Sequence, residues 1–233
     1  MKLVDLFEYT FPKIQYVTTT KPPVAHADDR DGRRHVIKRK GTEHLGSGTF
    51  ASAYHDPKQS PHEVRKVSKE MHERKIDGFY YYIKELENNP DNDNPYYPRF
   101  SAIKIYKKPE VKPKTWSTGA YVTYSAQMEK LYNIRELKAS EKQYILSKLH
   151  GESTIDQTDH NKSIVSIVRD QMHGDGKATD PHFIRAIEFI NKVASEHSYL
   201  ADIHDDNIMF RRTPYGPQLV ITDPLGYRSG GSQ

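Results

Sequence analysis

The sequence lacks cysteine altogether and contains no long apolar run. A chain without cysteine forms no disulfides and no cysteine-ligated zinc site, which excludes disulfide-stabilised domains and zinc fingers. About eighteen consecutive apolar residues are needed to span a bilayer, so the sequence predicts no membrane-spanning helix. Acidic Asp5 and Glu8 follow Met1-Lys2 without a sustained apolar segment, and we therefore expect no secretory signal peptide.

Charge of one sign is not in large excess, since the formal net charge is +4 over 233 residues. That balance permits contact with phosphates or acidic partners but does not require nucleic acid. Basic residues concentrate between 33 and 40, on both sides of Val36-Ile37. The run is either a surface for an acidic partner or the solvated face of a short strand. Such runs are more often solvated surface, so nucleic acid is not an expected partner.

The stretch from Asp202 to Gly226 carries the strongest chemical signal. Residues 208–210 and 219–221 are short apolar segments, and the Thr213-Pro-Tyr-Gly-Pro217 turn between them predicts a hairpin. Asp202 and Asn207 stand before the first strand, and Asp223 follows the second. The pattern therefore predicts that these three polar side chains meet at one end of the hairpin.

An acid–amide–acid trio suits phosphoryl transfer. One carboxylate accepts or orients the attacking hydroxyl, while an amide oxygen and a second carboxylate hold Mg²⁺ against the phosphates. Two plainer interpretations stay open, because Asp-rich loops are often solvated turns and Asp202, His204 and Asp206 could form a weak Ca²⁺ loop. An EF-hand is disfavoured because no glycine stands at the sixth position.

This stretch resembles the protein kinase family. The Asp202-to-Asn207 spacing is that of the kinase catalytic loop, and Asp223 occupies the place of the metal-binding Asp in Asp-Phe-Gly. Two departures concern neighbouring residues: Leu200-Ala201-Asp202 replaces His-Arg-Asp, and Asp223-Pro224-Leu225 replaces Asp-Phe-Gly. These departures bear on regulation more than on metal binding.

A closer resemblance is to the early serine/threonine kinases of T7-like bacteriophages. That family carries a similar Asp-x-His-x-x-Asn-Ile-Met-Phe run followed by a similar Ile-Thr-Asp-Pro. The resemblance covers about Leu45 to Gly226. Seven residues follow Gly226, which leaves no room for the usual activation segment and peptide-binding helices. We therefore expect the substrate surface to come from the helices at 133–198.

Upstream motifs follow the order of a kinase N-lobe. Gly46-Ser47-Gly48-Thr49-Phe50 resembles the glycine-rich loop, in which backbone without a Cβ approaches a phosphate, although Ala51 replaces the third glycine. Tyr54 is expected over the adenine. Lys66, on a strand-like Val-Arg-Lys-Val, is expected to bind the α- and β-phosphates, and Lys69 is its nearby competitor.

The segment from Glu70 to Asn89 has helical periodicity, with Phe79 and later apolar residues at three- and four-residue spacing. The resemblance implies that this helix supplies a carboxylate to hold Lys66. Glu85 is the assigned residue, with Glu73 and Glu87 as alternatives.

Strands are predicted at 102–106 and 119–127, and the second leads into a hinge at 127–131. By the resemblance, residues near Ala126 and Met128 line the base pocket. The chain then turns helical. Asn133 and Glu136 form a capping-box pattern, and further helices are predicted at 161–172 and from Asp180-Pro181 onward, where Asp caps and Pro opens the helix.

The resemblance implies an α+β, two-lobed protein-kinase-like fold. An N-terminal antiparallel sheet with one helix precedes a reduced helical C-terminal lobe that carries the catalytic hairpin. The expected divisions are an N-terminal extension at 1–40, an N-lobe at 41–131 ending in the hinge, a C-lobe at 132–228 and a flexible tail at 229–233.

The implied function is an ATP- and Mg²⁺-dependent serine/threonine kinase in the cytoplasm of an infected bacterium. Its expected substrates are host proteins of transcription, RNA processing or defence, with autophosphorylation of its own chain. The expected catalytic residues are Asp202, Lys66 and Asn207, and the expected metal ligands are Asn207 and Asp223. The expected ATP-binding residues are Gly46, Ser47, Gly48, Thr49, Phe50, Tyr54, Lys66, Glu85 and Met128.

Two other function classes fit the same residues. Small-molecule phosphotransferases of kinase-like fold have similar Asp/Asn/Asp trios. A non-catalytic, pseudokinase-like inhibitor of a host protein could instead use the basic run at 33–40.

Overall fold

A computed structural model describes residues 9–19, 21–23, 42–47, 51–72, 76–107, 121–151 and 163–226. The predicted features at Gly48, Thr49, Phe50, Glu73 and the basic run at 33–40 lie outside these ranges. The described chain is a mixed α+β structure with four α-helices and a large sheet. It divides into two compact units. The sheet unit comprises the described parts of 9–80 and 99–130, and the hairpin unit comprises those of 81–98 and 131–226.

The sheet unit contains one seven-stranded sheet in the order β1-β6-β7-β4-β3-β2, with β5 beside β7. All its pairings are antiparallel except β1 with β6, which is parallel, so the expectation of a purely antiparallel sheet is wrong in that one pairing. Its strands are β1 Gln15–Thr18, β2 Glu43–Ser47, β3 Ala51–His55, β4 Glu63–Ser68, β5 Met71–His72, β6 Phe100–Lys107 and β7 Tyr121–Glu129.

The core of the sheet unit lies on one face of β6 and β7. Alternate residues of these strands are apolar and almost fully buried, as the two-residue period of a strand requires. Phe79 packs on this face, with its ring 5.3 Å from that of Tyr124. Phe11 meets Phe100 edge-on at 5.6 Å. The aromatic side chains thus supply much of the buried area that holds the sheet unit together.

Helix α1, Gly78–Asn88, is shorter than the predicted 70–89. Met71 and His72 form β5 against β7 instead, and Asp77 directly precedes the first residue of α1. The Asp77 carboxylate accepts from the backbone N–H of Tyr80 at 2.9 Å and from the hydroxyl of Tyr124 at 2.7 Å. A side-chain acceptor at this position satisfies an N–H that lacks a partner within the helix, so it fixes where α1 begins. The division between the two units falls within α1.

Within the described residues, the hairpin unit contains most of α1, three further helices and two small sheets. A three-stranded sheet has the order β11-β10-β8, and β9 pairs with β12. Its elements are β8 Tyr132–Asn133, a 3₁₀ turn at Ile134–Glu136, α2 Ala139–His150, α3 Ile164–His173, α4 Pro181–Glu196, β9 Leu200–Ala201, β10 Ile208–Thr213, β11 Gly216–Ile221 and β12 Leu225–Gly226. The predicted hairpin is confirmed, since β10 and β11 pair from Ile208 with Ile221 to Thr213 with Gly216.

The ends of the helices follow their capping residues. The box of Asn133 and Glu136 is present, but it opens the 3₁₀ turn rather than α2. The start of α2 is capped separately, because the Glu141 carboxylate accepts from the backbone N–H of Lys138 at 2.8 Å. This hydrogen bond lowers the pKa of Glu141. Asp180 caps α4 as predicted. None of the described helices is long and apolar enough to cross a membrane.

Gly216 provides a test of the hairpin. Its φ is +116°, and a Cβ added there would lie 2.7 Å from the ring of Tyr144 on α2. We expect Gly216→Ala to lower the free energy of unfolding by about 1–3 kcal/mol, because both the backbone conformation and the contact become strained.

Urea unfolding measures this change. Gly46→Ala is the matched control, since a Cβ at Gly46 meets nothing within 4 Å, and its stability should stay within about 0.5 kcal/mol of the parent. Equal stability of the two variants would contradict the account of the turn.

Candidate functional site

Asn207 joins the two loops at the end of the β10–β11 hairpin. Its carboxamide nitrogen donates to the backbone carbonyl of Asp202 at 2.8 Å. Its own backbone carbonyl accepts two hydrogen bonds from Thr222, one from the N–H at 2.9 Å and one from the hydroxyl at 3.0 Å. Asn207 and Thr222 are both buried. Because Asp223 follows Thr222 directly, these bonds place the loop of Asp202, the amide of Asn207 and the start of the Asp223 loop side by side.

A second link holds Asp202. Its backbone N–H donates to the carbonyl of Pro224 at 2.8 Å, and the chain on either side pairs as β9 and β12, with Leu225 opposite Ala201. The side chain of Asp202 is half exposed. The backbone of Asp202 is therefore fixed, while its carboxylate is accessible to solvent.

His204 contacts the carboxamide of Asn207. Its Nε2 lies 2.9 Å from Asn207 Nδ2 and 3.7 Å from the Asp202 carboxylate. Because Nδ2 carries only hydrogens, Nε2 is the acceptor of this contact, and in that tautomer Nδ1 carries the proton and does not also accept from the backbone N–H of Asp206 at 3.2 Å. Nδ2 then donates one hydrogen to the Asp202 carbonyl and one to His204. This leaves the carboxamide oxygen, Oδ1, as the group of Asn207 that is available to a ligand.

The residues present fit a magnesium ion. Oδ1 of Asn207 accepts no hydrogen bond from the described residues, and Asp223, the residue after Thr222 in the neighbouring loop, carries a carboxylate. Both are the hard oxygen ligands that Mg²⁺ prefers, and Mg²⁺ usually keeps several waters and takes only one or two protein carboxylates. Asn207 and Asp223 are thus suited to the role that the sequence predicts for them.

The strands behind the loops are anchored within the hairpin unit. The guanidinium of Arg211 donates to the carbonyls of Pro95 and Tyr97 at 3.2 and 3.1 Å, and the N–H of Ile221 donates to the carbonyl of Tyr96 at 2.9 Å. Arg169 on α3 donates to the carbonyl of Ile203 at 2.8 Å. These bonds hold β10, β11 and the loop that begins at Asp202 against segments that lie far away in the sequence.

Lys66, Ala126 and Met128 share one face of the sheet unit. Lys66 pairs with Ala126 across β4 and β7, and Met128, two residues further, pairs with Val64. Met128 is buried, and the Lys66 amine lies 3.7 Å from the ring centroid of Phe79 on the same face. The structure therefore brings the predicted phosphate-binding lysine and the predicted base-pocket residue onto one surface.

Tyr54 does not belong to that surface. Its neighbour Ala53 pairs with Lys66, whereas Tyr54 pairs with Arg65, whose side chain points to the opposite face. The expectation that Tyr54 covers a nucleotide beside Lys66 is corrected on this ground, and Ala53 is the residue that shares the Lys66 face. Gly46 lies in β2 opposite Ala53, and Ser47 bonds through its hydroxyl to Ser52 at 2.7 Å.

Glu85 is held by a histidine. Its carboxylate lies 3.1 Å from Nε2 of His197, and the His197 ring stacks on Tyr81 at 4.1 Å. Glu196 brings a second carboxylate close enough for the three side chains to share one cation. The pairing of Glu85 with Lys66 stays a prediction, and the contact with His197 was not anticipated because the two residues lie far apart in the sequence.

Gly226 and Thr222 belong to the candidate site, although no sequence motif pointed to a role for either of them. A Cβ at Gly226 would lie 2.9 Å from Cβ and 3.1 Å from Cγ of Asp202, so only glycine leaves the carboxylate in place. Thr222 precedes the predicted metal ligand and binds Asn207 through both its backbone and its hydroxyl. A glycine shortly after an Asp-Pro turn was the available signal for Gly226.

No protein-family model matches the chain, and no curated protein sequence matches it.

The close approach of Gly226 to Asp202 gives a direct test of the site's construction. We expect Gly226→Ala to push Asp202 away and to weaken the β9–β12 pairing. The predicted loss in free energy of unfolding is about 1–3 kcal/mol, the usual cost of overpacking. Urea unfolding measures the loss, and amide chemical shifts of Asp202 and Leu225 report the displacement.

Gly46→Ala again serves as the control for the glycine-to-alanine change itself. Unchanged stability of Gly226→Ala together with unchanged Asp202 shifts would show that Gly226 does not set the position of Asp202.

Proposed function

We propose that this chain is an ATP-dependent serine/threonine protein kinase that phosphorylates bacterial host proteins during phage infection. The observation that supports this most is the hydrogen bonding of Asn207, which joins the Asp202 loop to the Asp223 loop. An acid with a half-exposed carboxylate, an amide with an unused oxygen and a second acid then stand together at the end of one hairpin. The resemblance to T7-like phage kinases supplies the protein substrate and the site of action, the cytoplasm of the infected bacterium.

In this proposal Asp202 is the residue that contacts the hydroxyl of the substrate serine or threonine. Its carboxylate orients the serine or threonine oxygen toward the γ-phosphorus and accepts the hydroxyl proton as the new P–O bond forms and the bond to the β-phosphate oxygen breaks. ADP leaves with the electron pair of the broken bond. The carboxylate needs solvent access to receive a protein side chain, and the half-exposed Asp202 has it.

In this proposal Asn207 and Asp223 are the ligands of Mg²⁺, and Lys66 binds the α- and β-phosphates of ATP. The metal neutralises the charge on the phosphates and holds them in line with the acceptor. Catalysis of phosphoryl transfer is mostly positioning and electrostatic stabilisation, so the burial and double anchoring of Asn207 favour this role.

The test is transfer of radioactive phosphate from [γ-³²P]ATP in the presence of Mg²⁺. We expect Asp202→Asn and Asp223→Asn to reduce transfer to protein in a bacterial lysate at least about a hundredfold. Both substitutions keep the side-chain size, so far-UV circular dichroism and urea unfolding should show a retained fold.

Asp205→Asn is the matched control. Asp205 lies in the same loop, but it forms an exposed ion pair with Arg135 at 3.0 Å, and such pairs contribute little. Its labelling should equal that of the parent. Parent-like labelling by Asp202→Asn or Asp223→Asn would contradict the assignment. Transfer to aminoglycosides or sugars rather than to lysate proteins would replace the protein kinase with a small-molecule phosphotransferase.

A further inference from the structure

A cavity of about 270 Å³ opens within the sheet unit, on the side of β4 where Arg65 rather than Lys66 points. It is bordered by β3, β4, β6 and β7 and by the turn between β3 and β4. The pairing of Lys66 with Ala126 puts those two residues on the other face of the same strands. The cavity is therefore separate from the surface that carries Lys66 and Met128.

The floor of the cavity is polar and set by strand register. Arg65 pairs with Gln127 across β4 and β7, and Lys104 pairs with Ser125 across β6 and β7. Arg65 Nε donates to the hydroxyl of Ser125 at 2.9 Å. This bond uses one of the five N–H groups of the guanidinium and fixes its orientation. Its terminal nitrogens stay available for a two-pronged contact with an oxyanion.

The two cations of the cavity, Arg65 and Lys104, form no ion pair within the described part of the chain. The two acids of the lining are already engaged. Glu63 accepts a short hydrogen bond from Gln127, and Asp56 accepts from the backbone N–H groups of Lys58 and Gln59 at 3.1 Å each. The formal charges of the lining cancel, but both carboxylates accept from neutral N–H groups of the protein, whereas the cationic groups of Arg65 and Lys104 form no ion pair with a described residue.

Two tyrosines complete the lining. Tyr54 on β3 pairs with Arg65 on β4, and Tyr106 lies two residues after Lys104 on the same face of β6. Burial raises the pKa of Tyr106, an effect that nearby Arg65 opposes. The hydroxyl accordingly stays protonated near neutral pH and can donate to an anion. Val67 and Ala102 add apolar surface, so the cavity combines rings, small apolar groups, two cations and the two hydrogen-bonded carboxylates of Asp56 and Glu63.

The volume limits the occupant. Pockets for drug-sized ligands span about 300–1,000 Å³, and this cavity lies just below that range. A nucleoside triphosphate is too large, whereas one ring with one charged group is of suitable size.

We propose that this cavity is a binding site for a small organic anion, a phosphate or carboxylate group carried on a single ring. The anionic group binds between Arg65 and Lys104, and the ring lies against Tyr54 and Tyr106. The site is distinct from the proposed kinase site and does not depend on it.

Phenyl phosphate and benzoate are the probes, and two-dimensional ¹H–¹⁵N NMR of the full chain is the measurement. We expect saturable shifts for at least one probe at the amides of Tyr54, Arg65, Ser125 and Gln127, with inorganic phosphate binding at least tenfold more weakly because it lacks the ring. Absence of saturable shifts with both probes up to about 10 mM, a concentration that saturates any site of millimolar affinity, would overturn the proposal. So would equal affinity for inorganic phosphate.

Variants locate the site. Arg65→Met and Lys104→Met should each weaken binding at least tenfold. Lys107→Met is the matched control, because Lys107 is an exposed lysine on the same strand whose side chain points to the other face, and its affinity should be unchanged. Asp223→Asn should also bind normally. Binding that survives Arg65→Met but is lost in Asp223→Asn would place the probe in the proposed nucleotide site and overturn the proposal.

Discussion

The hydrogen bonds of Asn207 are the interaction on which the proposed site depends. One side chain and one carbonyl of this buried residue hold two loops that are separated by the whole β10–β11 hairpin. The side-chain amide of Asn207 donates to the Asp202 carbonyl, and its backbone carbonyl accepts two bonds from Thr222. This arrangement is costly to disturb, because each broken bond leaves an unpaired buried polar group. These bonds therefore hold the two loops in one relative arrangement.

That arrangement divides the work among the three polar residues. The backbone of Asp202 is tied to Pro224, while its carboxylate stays half exposed. The amide nitrogen of Asn207 is consumed by Asp202 and His204, which leaves the oxygen for a metal. Asp223 follows the threonine that anchors the second loop. Preorganisation of this kind suits phosphoryl transfer, where charge must be neutralised at fixed positions.

Local signals in the sequence predicted much of the hairpin unit. The apolar segments at 208–210 and 219–221 with the turn between them define the hairpin, and Asp180-Pro181 marks the start of α4. The capping box of Asn133 and Glu136 is present as predicted, but it opens a single 3₁₀ turn. Helix α2 begins later, where the backbone N–H of Lys138 donates to the carboxylate of Glu141.

Long-range features were beyond local patterns. The parallel pairing of β1 with β6 joins residues 15–18 to 104–107. The residues of β1 do not alternate between buried and exposed, so the sequence carries no strand pattern there. Neighbouring residues of a strand point to opposite faces, so Ala53 lies on the Lys66 face and Tyr54 on the other. The spacing of the motifs in the sequence did not fix this register. The contact of Glu85 with His197 and the approach of Gly226 to Asp202 likewise arise only when distant segments meet.

The central claim is that Asn207 and Asp223 hold the metal of a nucleotide complex. Paramagnetic NMR with Mn²⁺ and a non-hydrolysable ATP analogue tests it most directly, because the ion broadens signals only of nearby nuclei. The account predicts loss of the side-chain NH₂ signal of Asn207 and of the backbone amide of Asp223, both dependent on the analogue. Persistence of both signals, with broadening instead at Glu85, Glu196 and His197, would contradict it.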